Sequence, residues 1–252
     1  MASRSIARAD PRASARGALR TAALVAALLL YLLLHFATRA IGRESHWPRR
    51  FLAQVARICG VQLHLQGRPV KRDVLFVSNH SSWLDIPIIA GATGTAFVAQ
   101  SGIKDWPLVG WLAGLNNTVY IDRSARAGVH DQVEAVRTAL SRHQPVAIFP
   151  EGTTSAELLP FKPALLEVVA PPPRAIRVQP LRLDYGAAAD LVWVGDEPAL
   201  RNIWRVLTHR RFPVRLTCLE PFDSATCLDR KAVAAEARAR IVSGSAWEAE
   251  HI

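Results

Sequence analysis

Cysteine is scarce in this chain: Cys59, Cys218 and Cys227 are the only three among 252 residues. They show neither two-residue spacing nor a histidine cluster beside them, so they make no zinc site and no disulfide framework, and a reducing compartment follows. Three familiar signatures are missing as well. No G-x-S-x-G elbow, no G-x-x-x-x-G-K-[ST] loop and no G-x-G-x-x-G fingerprint occurs, which argues against an α/β-hydrolase, a P-loop NTPase and a Rossmann-type dinucleotide enzyme. There is no internal repeat, and low complexity is confined to Pro171–Pro173, a stiff connection. Acidic residues are nearly absent from the first 57 positions, where Asp10 and Glu44 stand against ten arginines.

What is present is the composition of a folded protein, 50% apolar and 21% charged, in a chain long enough for one substantial α/β domain. The formal charge of +10 is concentrated at the N-terminus. A basic segment beside apolar sequence suits anionic lipid headgroups better than nucleic acid, whose binders spread basic residues over a folded face. Arg4, Arg8, Arg12, Arg16 and Arg20 recur every fourth residue and would form one cationic stripe on a helix. Pro11 and Gly17 are expected to interrupt that helix, with a disordered basic tail as the alternative. Thr21–Ala37 carries no formal charge over 17 residues, short of the roughly 20 usual for a span. No small-x-small cleavage site follows it, which disfavours a secretory signal, and the arginines on both flanks give both ends a preference for the cytoplasmic face. Trp47–Ile58 places Trp47, Phe51 and Val55 on one side, as an interfacial helix does. Residues 1–58 are therefore expected to form a basic arm and a membrane-associated helical hairpin dipping into one leaflet, ahead of an α/β domain over residues 59–252.

From Val61 onward β-branched runs alternate with helical patterns. Strands are expected at 61–65, 74–78, 95–100, 118–122, 146–150, 176–183 and 214–219, and helices near 83–90, 105–114, 125–143, 163–170, 201–209 and 226–242. Such alternation predicts an α/β fold with a mixed, largely parallel sheet flanked by helices, in which chemistry collects where strands end.

Three expected strand ends carry reactive side chains. In VLFVSNHSSWLDIP (74–87), His80 sits at a strand end and Asp85 lies three residues beyond the expected N-cap, Ser82, where the tightening chain can return a carboxylate beneath the imidazole. A carboxylate on one ring nitrogen fixes the tautomer and leaves the other nitrogen able to accept a proton. The plain alternative is a capping box beside an exposed histidine. In VAIFPEGTTS (146–155), Glu151, Gly152, Thr153 and Thr154 stand where backbone N–H groups become available at the end of a buried strand. In NNTVYIDRS (116–124), Arg123 at a strand end can hold a phosphate in bidentate fashion, or form an ordinary surface ion pair.

In combination these segments resemble the lysophospholipid acyltransferase superfamily, of the bacterial 1-acylglycerol-3-phosphate acyltransferase type, over about residues 45–220. His80 and Asp85 match its H-x-x-x-x-D block, Val119–Arg123 its second block, Phe149–Ser155 its third, and Val178–Pro180 its fourth. The resemblance implies that His80 deprotonates an acceptor hydroxyl and that Asp85 orients it. Arg123 and Glu151 with Gly152 would position the acceptor head, Thr153, Thr154 and Lys104 completing the binding set, while the fourth block shapes the acyl-donor side. It implies acyl-CoA or acyl carrier protein as donor, and neither cofactor nor metal. A thioester is already activated, so a base and an oxyanion stabiliser suffice and the three cysteines can be spectators.

Both donors are cytosolic, so His80 belongs on the cytoplasmic face of the inner membrane and the apolar segment must return or lie in the interface. Lysophosphatidic acid is the first acceptor expected. Thr154, where many relatives with a phosphatidic-acid product have arginine, and the LPFKPAL run at 159–165 also resemble acyltransferases of lyso-ornithine lipid. A non-catalytic lipid-binding module and a basic RNA-binding protein are the readings from other classes; nucleic acid is not expected as a partner.

Overall fold

The computed structural model describes residues 10–100, 102, 104, 107–121, 129–141, 145–172 and 175–244. Two helices come first, α1 (Pro11–Ala40) and α2 (Trp47–Ile58). The strands β1 (Val61–Gln66), β2 (Val74–Ser78), β3 (Ala96–Gln100), β4 (Val119–Ile121), β5 (Val146–Ile148), β6 (Arg177–Asp184), β7 (Phe212–Cys218) and β8 (Phe222–Asp223) then alternate with five more helices. These are α3 (Asp85–Thr93), α4 (Pro107–Leu115), α5 (Val129–Ser141), α6 (Ala199–Thr208) and α7 (Arg230–Ser243). The expected helix near 163–170 is a 3₁₀ helix, Pro163–Val169.

The strand order is β1-β7-β6-β2-β5-β3-β4, with β8 added to β6. Neighbours pair in parallel except β6 with β7 and β6 with β8. This is the mixed, largely parallel α/β sheet that the alternation predicts. Every residue of β2 and of β5 is buried, as expected of central parallel strands covered on both faces, and β7 alternates buried with half-buried. One core layer joins Phe76, Leu84, Ile88 and Phe149 under α2, α3 and α6; a second joins Val77, Ile148, Val136 and Ile241 beneath α5 and α7. Because β2, β3, β4, β5 and β6 run the same way, their C-terminal ends share one edge of the sheet.

The N-terminal segment departs from expectation in three ways. First, α1 is one continuous helix of 30 residues. Pro11 does not interrupt it but starts it, after Asp10, whose side chain accepts the Arg12 N–H at 3.0 Å. Gly17 is a packing notch: a Cβ there would come within 2.9 Å of both Trp204 and Thr208 of α6. Second, part of the basic stripe is structural. Arg16 donates twice to the Thr208 carbonyl, at 2.9 and 2.7 Å, and Arg20 donates to the carbonyls of Val206, Leu207 and His209. These are the orphan acceptors at the C-terminus of α6, where the helix dipole favours a cation. Arg49 does the same for α3 through the Ala92 carbonyl at 3.0 Å. Arg12 remains exposed, and Arg4 and Arg8 lie outside the described residues. Third, the apolar side of α2 is turned inward. Trp47 and Phe51 each lie 5.9 Å from Tyr31 of α1, Trp47 Nε1 donates to Thr38 at 2.8 Å, and Val55 packs on the core.

The two helices thus form a hairpin docked on α6 and α3. Its outer side is apolar, with Leu19, Val25, Leu29, Leu30, Leu33 and Phe36 all more than half exposed. Trp111 of α4, also exposed, stacks on Phe36 with centroids 6.4 Å apart. At 1.5 Å per residue α1 is about 45 Å long, and by length and composition it could cross a bilayer. A continuous exposed apolar surface of this kind gives the protein a membrane location.

Candidate active site

β2 delivers its chain into Asn79 and His80, and the polypeptide turns through Ser81–Leu84 before α3 begins at Asp85. Asn79 anchors this exit by a reciprocal pair with Leu183 of β6: its amide donates to the Leu183 carbonyl at 2.9 Å and its oxygen accepts the Leu183 N–H at 2.8 Å. The His80 peptide is gripped from both sides. Its N–H donates to Glu151 Oε1 at 2.7 Å, and its carbonyl accepts the Ser155 N–H at 2.9 Å.

Asp85 is fully buried and sits beneath the imidazole. Its Oδ2 is 2.8 Å from His80 Nδ1 and also accepts the N–H groups of Ser81 and Ser82, at 2.6 and 2.9 Å. Oδ1 accepts the Tyr185 hydroxyl at 2.6 Å. The expected capping box is not formed: Leu84, not Ser82, is the N-cap of α3, without a side-chain cap bond, and Ser82 Oγ accepts the Leu84 N–H at 3.3 Å, while the Asp85 carboxylate both ties the Ser81 and Ser82 N–H groups and faces the histidine. With two N–H groups and a phenol directed at it, Asp85 is an acceptor, so the hydrogen between it and His80 resides on Nδ1 and Nε2 carries the lone pair. The ring lies flat on Phe149, with centroids 4.0 Å apart and planes 14° apart, and Phe149 stacks in turn on Phe97. This fixes the imidazole plane while leaving its side chain 17% exposed.

Glu151 comes from the turn after β5 and is 2% exposed. Its second oxygen accepts the Leu159 N–H at 2.7 Å, so both oxygens hold main-chain groups. Burial pushes its carboxyl above the usual range, opposed by the N–H groups of Leu159 and His80. Gly152 has φ +79°, the left-handed turn that brings the chain back from Glu151. The N–H groups expected to be available here are partly committed, Gly152 to the Phe149 carbonyl at 3.1 Å and Ser155 to His80. Thr153 is exposed and Thr154 half-buried on the same turn.

Lys104 is exposed in the turn before α4 with its main chain against Gly110, and no described contact joins it to His80. Arg123 lies outside the described residues, just past β4. Val178–Pro180 of the fourth block are buried within β6, where Gln179 accepts the Val70 N–H and donates to the carbonyls of Arg68 and Leu219. That strand brings to the site Tyr185, a residue absent from the sequence-based candidates. A cleft of about 380 Å³, lined by Asn79, Ser81, Leu158, Tyr185 and Ile241 among others, adjoins the His80 turn. Burial raises the Cys59 thiol to about 12 and the Cys218 thiol to about 11, so neither is a thiolate nucleophile at neutral pH.

An imidazole backed by a buried carboxylate, at the shared C-terminal edge of parallel strands, can accept a proton from a group bound against Nε2. Residues 60–183 match the model of the acyltransferase family, and the chain belongs to that family, within the lysophospholipid acyltransferase superfamily. It is an acyltransferase of lysolipids. It is 30% identical over 234 residues to the lyso-ornithine lipid O-acyltransferase of Rhodobacter capsulatus, covering 83% of each chain. It is 31% identical to that of Pseudomonas aeruginosa over 73% of each chain. It is also 31% identical to the 1-acyl-sn-glycerol-3-phosphate acyltransferase of Neisseria meningitidis, over 66% of this chain and 68% of that one. The crystal structure of the 1-acyl-sn-glycerophosphate acyltransferase of Thermotoga maritima has the same fold, with a TM-score of 0.68, 21% identity, and coverage of 92% of this chain and 95% of that one.

Proposed function

We propose that this enzyme moves a fatty acyl group from acyl-CoA or acyl carrier protein to the free hydroxyl of a lysolipid, with lyso-ornithine lipid as the acceptor and His80 as the general base. The observation that carries the reading is the 2.8 Å contact of Asp85 with His80 Nδ1, on a ring clamped by Phe149. Nε2 takes the proton of the acceptor hydroxyl as the oxygen attacks the thioester carbonyl. The tetrahedral intermediate then collapses, the C–S bond breaks, and the same proton passes to the departing sulfur, leaving His80 as it began. Asp85 stabilises the transient imidazolium, and Glu151 acts by holding the His80 main chain. Arg123, Lys104, Thr153 and Thr154 are assigned to the acceptor side.

Lyso-ornithine lipid is placed ahead of lysophosphatidate, reversing the order that sequence alone suggests. The chain has Thr154 where a phosphate-binding arginine is common, and its similarity to lyso-ornithine acyltransferases extends over more of its length, 83% against 66% for the Neisseria meningitidis phosphate-acceptor relative. Thioester release by the purified protein in mixed micelles, with each lysolipid at matched surface concentration, tests the choice. A higher kcat/KM for lyso-ornithine lipid is expected; a higher value for lysophosphatidate would reverse the assignment.

At the membrane, the outer side of α1 with Trp111 enters one leaflet while exposed Arg12, Arg39 and Arg43 meet anionic headgroups, and the sheet edge with His80 stays on the cytoplasmic face of the inner membrane. Support comes from the docking of α1: it packs on α6 through Arg16, Gly17 and Arg20 and on α2 through Tyr31 and Thr38, so a perpendicular span would drag folded elements into hydrocarbon.

A further inference from the structure

We propose that Tyr185 is a positioning residue of this reaction, which holds Asp85 in register with His80 and moderates the charge that the carboxylate presents to the imidazole. The inference rests on the general-base reading above. Tyr185 lies just beyond β6, 100 residues from Asp85 along the chain, and is 4% exposed. Its hydroxyl donates at 2.6 Å to Oδ1, the one carboxylate oxygen that neither His80 nor a main-chain N–H occupies among the described contacts. Ser82, also fully buried, gives its N–H to Asp85 Oδ2 at 2.9 Å, and its Oγ accepts the Leu84 N–H. A chain thus runs from the buried Tyr185 through Asp85 to His80.

A phenol placed only to fill space would find any nearby carbonyl. This one bonds a carboxylate, and each donor on a carboxylate draws charge from it. Removing the Tyr185 donor would leave more negative charge on Asp85, which favours the protonated imidazole over the form that accepts the hydroxyl proton. The titratable groups facing this chain are Asp85 at the start of α3, the neutral Cys59 thiol after α2, and Glu151 after β5, which reaches His80 through its main chain. Burial first, and then the charge of Asp85, lift the Tyr185 phenol well above its usual range, so it stays a donor across the working pH.

Tyr185→Phe keeps the ring and removes the donor. With the full chain in mixed micelles, the ring protons of His80 are titrated by NMR and the pH profile of kcat/KM is recorded by thioester release, for wild type, Y185F and H80A. The expected result is a His80 titration moved upward by about half a pH unit, with the acid limb of the Y185F profile moving by the same amount. Y185F is then more impaired at pH 6 than at pH 8. In an Asp85→Asn background Y185F should add no shift. An H80A protein that still transfers acyl groups sinks the base reading itself. An inactive H80A together with an unmoved His80 titration in Y185F overturns the role of Tyr185 alone. If Y185F does not fold, 3-fluorotyrosine at position 185 replaces it: its more acidic phenol donates more strongly to Asp85, so a downward shift of the His80 titration supports the proposal, and no shift overturns it.

Discussion

Replacing Asp85 by Asn isolates the electrostatic part of the site, because the packing can survive the change. The amide oxygen, seated where Oδ2 is now, can still accept from His80 Nδ1 and from the N–H groups of Ser81 and Ser82, and the hydroxyl of Tyr185 can rotate to accept from the new NH₂. What disappears is a unit of negative charge 2.8 Å from Nδ1. At an effective dielectric of about 20 that charge supports a full imidazolium by about 6 kcal/mol, an upper bound. A transition state in which the proton is half transferred realises about half of this, near 3 kcal/mol, or a fall of about 10² in kcat. The lost hydrogen-bond strength costs about 1–2 kcal/mol of folding stability, which leaves the protein folded. Thioester release in mixed micelles measures the rate, and circular dichroism with urea titration checks the fold. A folded D85N enzyme turning over within threefold of wild type would refute the argument that Asp85 acts through its charge.

Two further predictions test the frame around the histidine. Glu151→Gln sets an NH₂ donor against a main-chain N–H and should cost about 1–3 kcal/mol, read by urea denaturation at neutral pH. Because burial raises the Glu151 carboxyl above its unfolded value, the folded state favours the protonated form, and that contribution is complete below the unfolded value of 4.5 and lost as pH rises through the raised one. Measured from pH 4 to pH 7, wild-type stability should therefore fall relative to E151Q, and a relative rise would show the sign to be wrong. On the outer side of α1, the double substitution Leu29→Glu and Leu33→Glu removes two exposed side chains worth about 1.5–3 kcal/mol each on burial. Flotation with anionic vesicles should weaken by at least ~10² while the urea midpoint barely moves; undiminished flotation would place the membrane contact elsewhere.

The elements were largely legible because each has a local cause. VLFVS and VAI are apolar runs buried on both faces, and all seven expected strands occur within two residues of their expected ends. The His80–Asp85 pair was legible for the same reason, since five residues of tight turn are enough to bring the two together. Long-range features had no such signal. Tyr185 reads locally as the end of a strand, and only the parallel pairing of β6 with β2 carries it to Asp85. The reversal of β7 and the two-residue β8 depend on the same distant pairing. Gly17 has the local chemistry of a helix breaker, and its real constraint is the indole of Trp204. Arg16, Arg20 and Arg49 look like a solvated cationic face until the C-termini of α6 and α3 are placed beside them.

The most direct test is acyl transfer to a lysolipid by full-length His80→Ala protein, purified in micelles and shown to keep its wild-type circular dichroism. With no Nε2 to receive the hydroxyl proton, the rate should drop by at least ~10² while thioester and lysolipid still bind. Transfer at close to the wild-type rate would mean that another group takes that proton, and that the histidine at the end of β2 is only part of the scaffold.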